Sequence, residues 1–359
     1  MFLELIYPLF RFFTPLYVFV YLTFRGAFAA LTTLLICYIF GGKIIELIRK
    51  LKIGQSIRED GPQTHLPKSG TPTMGGIFII LSVVIAMLFW QDLHNRAVWI
   101  TMGAFIAFGA IGFIDDYLKF SKRNSAGLRA WAKLALQFAV AVTVVLIIYF
   151  TGDEKTTLLY VPFFKNPVLD MGWVWIPFAV LLVVGESNAV NFSDGLDGLL
   201  AGLLIIVFLT LAVITYITGR IDYSEYLGIP YVPGAGELTV FCLAAAGACV
   251  GFLWYNAHPA EIFMGDVGSL SLGGVIAVIS LITKKELLIL IIGGLFIVEI
   301  ASVVIQVVSF KLRGKRVFKM APIHHHYELS GWPEVKTVIR FWIIGGLFAI
   351  IALSTLKIQ

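Results

Sequence analysis

The sequence predicts an all-α, polytopic membrane protein that forms one domain over residues 1–359. Two observations lead to this fold class. Hydrophobic residues make up 59% of the chain and charged residues only 14%, against roughly 45–50% and 25% in soluble domains. Apolar runs of about 20 residues, the length that crosses a bilayer core as a helix, recur along the chain. This composition excludes a soluble enzyme, and we expect no nucleic-acid partner.

Ten of these apolar runs are long enough to be transmembrane helices. Their approximate bounds are 20–41, 74–91, 97–114, 132–150, 173–190, 199–218, 238–255, 267–283, 287–308 and 337–356. Residues 156–169 carry β-forming residues around Lys165 and Asn166 and predict a small hairpin. Gly293 and Gly294 lie in the ninth run, where we expect the helix to bend.

The basic residues predict how these helices are oriented. Six Lys and Arg residues lie in 43–68, five in 119–133 and seven in 311–340, which is two thirds of the 27 in the chain. Connections rich in Lys and Arg face the cytoplasm. We therefore expect these three connections in the cytoplasm, and both termini and the hairpin on the exterior side.

Four polar clusters interrupt the apolar pattern, and in this orientation all of them fall at cytoplasmic helix ends. They are Asp115–Asp116, NAVNFSDGLDG at 188–198, NAHPAEIFMGD at 256–266 and APIHHHYE at 321–328. The membrane boundary is where a water-soluble reactant meets a lipid. The clusters therefore predict one site that carries out chemistry between two such reactants.

Asp115 and Asp116 follow the third predicted helix directly, at its C-terminal end. A helix dipole disfavours anions at this end by roughly 0.3–1 kcal/mol each, and neighbouring like charges add to the cost. A cation must therefore offset the pair. Lys119 and Lys122 would do so at a solvated helix end, and a bound divalent metal is the alternative that we favour.

The second cluster repeats Asn188, Asn191, Asp194 and Asp197 at intervals of three residues, just before the sixth predicted helix. Asp194 fits an N-cap of that helix. Capping does not explain the two asparagines. It also does not explain Gly195, because a glycine lets the backbone approach a ligand closely. Amide side chains, backbone N–H groups and a helix N-terminus together favour a phosphorylated nucleotide, and both roles can coexist.

Asp266, in the third cluster, also precedes a predicted helix, and an N-cap role fits it equally well. Phe263 is either a packing residue or a platform for a stacked base. The sequence alone favours packing for Phe263.

The fourth cluster contains three consecutive histidines, His324–His326. Successive helical positions are about 100° apart, so three neighbours cannot ligate one ion from a helix. Imidazole also suits zinc or copper better than magnesium. With Lys315, Arg316 and Lys319 nearby, phosphate recognition is the functional interpretation, and a solvated polar loop is the alternative.

Two further ionisable residues stand outside these interpretations. Glu299 lies near the middle of the ninth predicted helix, where an ionisable side chain is by default functional or paired. Its partner is not evident from the sequence. His258, like His65 and His94, is interpreted as a polar residue of a surface or interface.

These motifs resemble those of the phospho-N-acetylmuramoyl-pentapeptide transferase family. The resemblance rests on TPTMGG at 71–76, the paired aspartates, NAVNFSDGLDGLLAG at 188–202, FMGDVGSL at 263–270 and APIHHHYE. It covers almost the whole chain in the same order. The paired aspartates and the NFSDGLDG type occur throughout the polyprenyl-phosphate N-acetylhexosamine-1-phosphate transferase superfamily, whereas PIHHHYE is more specific to its peptidoglycan branch.

The resemblance implies a Mg²⁺-dependent exchange in the bacterial inner membrane. Undecaprenyl phosphate would attack the sugar-linked phosphate of UDP-N-acetylmuramoyl-pentapeptide, which yields lipid I and UMP for peptidoglycan synthesis. The family fold has ten transmembrane helices, a bent ninth helix and a cytoplasmic active-site cleft, and its usual assembly is a homodimer.

Site residues are carried over from the family by motif position. Asp266, together with Asp115 and Asp116, is expected to hold Mg²⁺, and these three and His324 are the expected catalytic residues. The expected contacts to nucleotide or diphosphate are Lys68, Asn188, Asn191, Asp194, Gly195, Leu196, Asp197, Asn256, Phe263, His325 and His326. Phe263 would stack on uracil. On electrostatic grounds, Lys119, Lys122 and Lys133 are expected near phosphate.

Several alternatives remain open at this point. Another enzyme of the superfamily would use UDP-N-acetylglucosamine instead. A secondary transporter would place coupling residues near the bilayer midplane, where only Glu299 lies, and often shows repeated halves. Within the transferase reading, the lipid phosphate attacks directly with Asp115 as the base, or one aspartate forms a covalent phospho-enzyme.

Overall fold

The computed structural model describes residues 14–50, 68, 70–121 and 127–357, and helices dominate it. The helices are α1 (Leu22–Lys50), α2 (Gly76–Trp90), α3 (Arg96–Ser121), α4 (Ala130–Thr151), α5 (Trp175–Phe192), α6 (Leu199–Thr218), α7 (Ile221–Leu227), α8 (Leu238–Asn256), α9 (Gly265–Ile282), α10 (Ile289–Ile292), α11 (Gly294–Arg313), α12 (Ile323–Glu328) and α13 (Glu334–Thr355). Most of the basic connection predicted at 43–68 lies outside the described residues, as do His65 and Lys122.

Nine helical segments of the described residues are long and apolar enough to cross a membrane. They match nine of the ten predicted spans and confirm an all-α polytopic membrane protein. The remaining span, predicted at 74–91, forms the 15-residue α2. At 1.5 Å per residue α2 is about 22 Å long, which is shorter than a bilayer core of about 30 Å.

Helices α8 and α9 form the centre of the bundle. α8 packs between α1 and α6, and α9 packs between α3 and α5. Small residues line both central helices, such as Ala244–Ala246 in α8 and Gly273–Gly274 in α9, and they let helix backbones approach closely in a membrane. Because nearly all of α9 is buried, its first residues are held rigidly at one end of the bundle.

Two local predictions are confirmed. The ninth predicted helix is interrupted at Gly293, where α10 ends and α11 begins. The predicted hairpin consists of β1 (Leu158–Leu159) and β2 (Leu169–Asp170), which pair antiparallel with Leu158 opposite Asp170.

Candidate active site

A glycine on α3 brings this helix into contact with the start of α9. A Cβ atom at Gly112 would lie 2.2 Å from the backbone oxygen of Asp266, so no larger residue fits without moving one helix. The next turn of α3 carries Asp115 and Asp116. As a result, one oxygen from each of Asp115, Asp116 and Asp266 lies within 4.8 Å of the other two. We call these three residues the acid triad.

The paired aspartates lie inside α3, so the prediction that they stand at its C-terminal end is wrong. α3 continues to Ser121, about one and a half turns beyond Asp116. Both carboxylates point into the protein, where Asp115 is 3% and Asp116 is 5% exposed. Burial of two like charges demands a cation more strongly than a solvated helix end would.

Two lysines supply positive charge to the acid triad. Lys119 Nζ lies 2.6 Å from Asp115 Oδ2, 3.2 Å from Asp116 Oδ1 and 2.7 Å from Asp266 Oδ2. Lys133 Nζ lies 2.8 Å from the same oxygen of Asp266. The three carboxylates thus converge on a single cationic group. A donor set made only of carboxylate oxygens also fits Mg²⁺, which prefers hard oxygen ligands.

Asp266 does not cap α9, so this part of the sequence interpretation is wrong. It is the second residue of the helix, and the side chain preceding the helix makes no capping hydrogen bond. Instead, Asp266 Oδ1 accepts a hydrogen bond of 2.6 Å from Asn191 Nδ2, and the same amide contacts Ser269 Oγ at 2.7 Å. Asn191 therefore orients the carboxylate of Asp266 from α5.

Asp194 is not an N-cap either. The residue before α6 is Gly198, in a left-handed conformation with φ 78°, and no side chain caps this helix. Burial and the nearby charge of Asp266 raise the pKa of Asp194 to about 7. The turn between α5 and α6 therefore packs against the start of α9.

The TPTMGG motif fixes the position of α9 through backbone pairing. Gly75 N–H donates to Phe263 O at 2.9 Å, and Phe263 N–H donates to Pro72 O at 2.8 Å. A Cβ atom at Gly76 would lie 2.1 Å from the backbone nitrogen of Gly268. The two motifs therefore form one unit, which holds Asp266 in place. The side chain of Phe263 is half-buried.

A second polar cluster joins four separate segments of the chain. Lys68 Nζ lies 2.7 Å from Asp197 Oδ1 and 2.5 Å from Glu334 Oε1. His258 Nδ1 lies 3.0 Å from Asp197 Oδ2. We call these residues the Lys68 cluster. His258 is a partly exposed polar residue, as the sequence interpretation has it, and its contact with Asp197 was not predicted. The sequence analysis also missed Glu334.

Three of the expected contact residues have side chains that contact other protein groups. Asn256 Oδ1 accepts the Gly198 N–H at 3.1 Å, and its amide donates to Ile262 O at 2.8 Å. The amide of Asn188 donates to Gln137 Oε1 and to the carbonyl of Val184. Leu196 is buried in the hydrophobic core. These three side chains therefore contribute to hydrogen bonding and packing within the protein.

The three histidines of α12 point to three different partners. His324 Nδ1 lies 3.1 Å from Glu299 Oε1, which identifies the missing partner of Glu299. His325 Nδ1 lies 2.8 Å from Glu328 Oε2, and His326 Nδ1 accepts the Lys319 N–H. The three imidazole rings therefore contact three different protein groups. His324 also packs on Gly195, where a Cβ atom would lie 2.2 Å from Nε2.

Comparisons with known proteins cover the whole site. Residues 98–284 match the model of Glycosyl transferase family 4, and residues 68–80 match phospho-N-acetylmuramoyl-pentapeptide-transferase signature 1. The chain is 51% identical over 358 residues to the phospho-N-acetylmuramoyl-pentapeptide-transferase of Thermodesulfovibrio yellowstonii, with 99% of each chain covered. It is 51% identical to the enzyme of the same name from Desulfosudis oleivorans, again with 99% of each chain covered, and 52% identical to that from Rickettsia africae, with 94% covered.

Proposed function

The chain belongs to the phospho-N-acetylmuramoyl-pentapeptide-transferase family, and we propose from this premise how its acid triad serves the reaction. The chain transfers phospho-N-acetylmuramoyl-pentapeptide from the UDP-linked donor to undecaprenyl phosphate in peptidoglycan synthesis. The products are lipid I and UMP. The convergence of Asp115, Asp116 and Asp266 on one point is the observation that carries the proposed mechanism.

The reaction exchanges one diphosphate bond for another. An oxygen of undecaprenyl phosphate forms a bond to the sugar-linked phosphorus of the donor. The bond between that phosphorus and the bridging oxygen breaks, and the oxygen leaves with UMP. Negative charge therefore grows on the leaving phosphate and must be offset.

Asp266 would hold Mg²⁺, with Asp115 and Asp116 completing or supporting the site. When bound, the ion would act as a Lewis acid that neutralises charge on the diphosphate and orients it. Since Mg²⁺ uses only one or two carboxylates and keeps several waters, not every member of the triad needs to be a ligand. Lys119 and Lys133, which contact Asp266, lie where their ammonium groups can also receive phosphate oxygens.

Asp115 has one carboxylate oxygen that accepts a backbone hydrogen bond and one that faces the two lysines. Its Oδ1 accepts the backbone N–H of Leu128 at 2.7 Å, while Oδ2 lies between Lys119 and Lys133. Asp115 can therefore take up the proton of a monoanionic lipid phosphate. A phosphate monoester has a second pKa of about 6 and is largely dianionic at neutral pH, which favours direct attack over a covalent phospho-enzyme.

The Lys68 cluster and the turn at 194–198 would bind the nucleotide half of the donor. Phe263 would stack on uracil, and His324–His326 would lie near the diphosphate. The proposal includes a site at the cytoplasmic face of a bacterial inner membrane and a homodimeric assembly.

The proposal is tested by supplying purified protein with Mg²⁺, undecaprenyl phosphate and either UDP-N-acetylmuramoyl-pentapeptide or UDP-N-acetylglucosamine. The expected result is release of one UMP per lipid-linked product with the muramoyl donor alone. Turnover of UDP-N-acetylglucosamine would instead indicate another member of the superfamily. Uptake of donor into sealed vesicles without UMP would indicate a transporter. A single-turnover search for protein-bound phosphate separates direct attack from the covalent route.

A further inference from the structure

Glu334 makes two contacts with one oxygen, and they join the last helix to the turn before α6. Its Oε1 lies 2.5 Å from Lys68 Nζ and also accepts the backbone N–H of Asp197 at 3.0 Å. An acidic residue in the first turn of a helix is favourable in any case. The helix dipole alone, however, does not require that this carboxylate reach two other segments of the chain.

The same helix holds the turn from its other side. Trp342 Nε1, about two turns further along α13, donates to the carbonyl of Leu199 at 3.1 Å. Its ring lies against Gly202, where a Cβ atom would approach it to 2.1 Å. The backbone on both sides of Gly198, the residue in left-handed conformation, is thus fixed by α13.

His258 completes the hydrogen bonding of Asp197. Asp197 Oδ2 faces His258 Nδ1 at 3.0 Å and accepts the backbone N–H of Ala260 at 3.1 Å, while its Oδ1 faces Lys68. Asp197 is 3% exposed, and partners on both carboxylate oxygens fix the plane of its side chain. The side chain of His258 is 41% exposed, so it covers this contact from the solvent side.

We propose that Glu334 and His258 are positioning residues, which hold Lys68 and the turn at 194–198 in the arrangement that receives the nucleotide half of the donor. This inference rests on the proposed function, since it assigns a task within that site. Neither residue touches the acid triad through any contact that the structure gives. Their effect is therefore on binding of the nucleotide and not on the lipid phosphate or the metal.

The inference predicts that the variants change the kinetics of the UDP-linked donor but not those of undecaprenyl phosphate. Glu334→Gln keeps the size of the side chain but replaces a charge-assisted acceptor by a neutral amide. Hydrogen bonds to charged groups contribute more than neutral ones, so the KM for the UDP-linked donor and the inhibition constant of UMP should rise about 10-fold. The KM for undecaprenyl phosphate and kcat should change less than about 2-fold.

The experiment compares Glu334→Gln and His258→Gln with wild type and with Lys336→Gln. Lys336 is exposed on the same turn of α13 and should leave all constants unchanged. An unchanged donor KM and UMP inhibition in both variants would overturn the inference, and so would equal losses for both substrates. If thermal unfolding in detergent shows that one variant does not fold, the donor KM and UMP inhibition of the other variant test the inference. Wild-type protein that releases no UMP would contradict the proposed function instead, so the two failures are distinguishable.

Discussion

The imidazole Nδ1 of His324 lies 3.1 Å from Oε1 of Glu299, and both side chains are completely buried. The contact joins α11, the longer part of the interrupted ninth span, to the short helix α12. Glu299 Oε2 and His324 Nε2 have no hydrogen-bond partner among the residues that the structure describes. The pair therefore depends on a single side-chain hydrogen bond.

Removing the carboxylate of this pair should destabilise the protein. Glu299→Ala leaves His324 buried without a partner and should lower the free energy of unfolding by about 3 kcal/mol. Glu299→Gln keeps a hydrogen-bonding group at the same place and should cost less than about 1.5 kcal/mol. Denaturant unfolding in mixed micelles measures both values. Equal stability of Glu299→Ala and wild type would show that this contact contributes nothing to the fold.

Loss of the Asn191 amide should weaken metal binding and turnover at the acid triad but leave the fold intact. Asn191→Ala removes the amide that contacts Asp266 Oδ1, and loss of such an orienting group typically costs roughly 10–100-fold in metal affinity or activity. We expect kcat to fall by this factor and the Mg²⁺ concentration for half-maximal rate to rise. Steady-state rates over a Mg²⁺ series provide the measurement. A normal Mg²⁺ requirement in Asn191→Ala would mean that Asp266 does not need this amide.

The close contact at Gly112 gives a test of how α3 and α9 are spaced. Gly112→Ala places a Cβ atom against the backbone of Asp266 and should cost about 1–3 kcal/mol of stability, with a large loss of activity. Gly103, on the same helix, has no atom within 4 Å of its Cβ position. Gly103→Ala should therefore be neutral, or stabilise α3 by up to about 1 kcal/mol. If both variants have the same melting temperature and turnover, the close contact of α3 with α9 contributes to neither stability nor activity.

Lys285 lies at the end of the bundle opposite to the acid triad, and it should make the free energy of unfolding depend on pH. Burial lowers the pKa of Lys285 to about 8, although Glu286 acts in the other direction. The unfolded chain binds this proton up to about pH 10.4. Between these values the unfolded state holds more protons, so the free energy of unfolding rises with pH across this window, and the cost of the buried charge is complete below pH 8.

Lys285→Met should therefore raise the melting temperature at pH 7, and the gain should shrink by pH 10. The expected gain at pH 7 is at most about 3 kcal/mol. Lys284→Met is the matched comparison, because Lys284 Nζ donates to the carbonyl of Thr156 and pairs with Glu286. That variant should lose stability at pH 7. A melting temperature of Lys285→Met below wild type at pH 7 would contradict the assignment.

Hydrophobic patterning predicted the spans well because a bilayer demands apolar helices of known length. The bounds of α6 agree fully with the predicted 199–218. The second span was predicted to begin at 74, two residues before α2, because Met74 and Gly75 are apolar or small. The backbone around them pairs instead with Phe263 and Met264. A pairing between distant segments leaves no periodic signal in the local sequence.

Asp115 and Asp116 were predicted as a metal site because their paired charges need a cation, and Asp266 was added by the family resemblance. The structure brings these three carboxylates together. The capping interpretation of Asp266 failed because a tertiary contact from Asn191 takes up its carboxylate. That of Asp194 failed because α6 begins only at Leu199, directly after Gly198. Glu334 was missed for a related reason: an acidic residue at the start of a helix looks like ordinary dipole compensation. Only the fold shows that it reaches Lys68.

The central claim, that the acid triad holds Mg²⁺ for phosphoryl transfer, is tested most directly by the rate of UMP release against Mg²⁺ concentration. The comparison is between wild type and Asp266→Asn, with exposed Asp222→Asn as the control. Chelation should abolish wild-type turnover and added Mg²⁺ restore it, whereas Asp266→Asn should stay at least about 1,000-fold slower at saturating Mg²⁺. Wild-type turnover by Asp266→Asn with an unchanged Mg²⁺ requirement would contradict the claim.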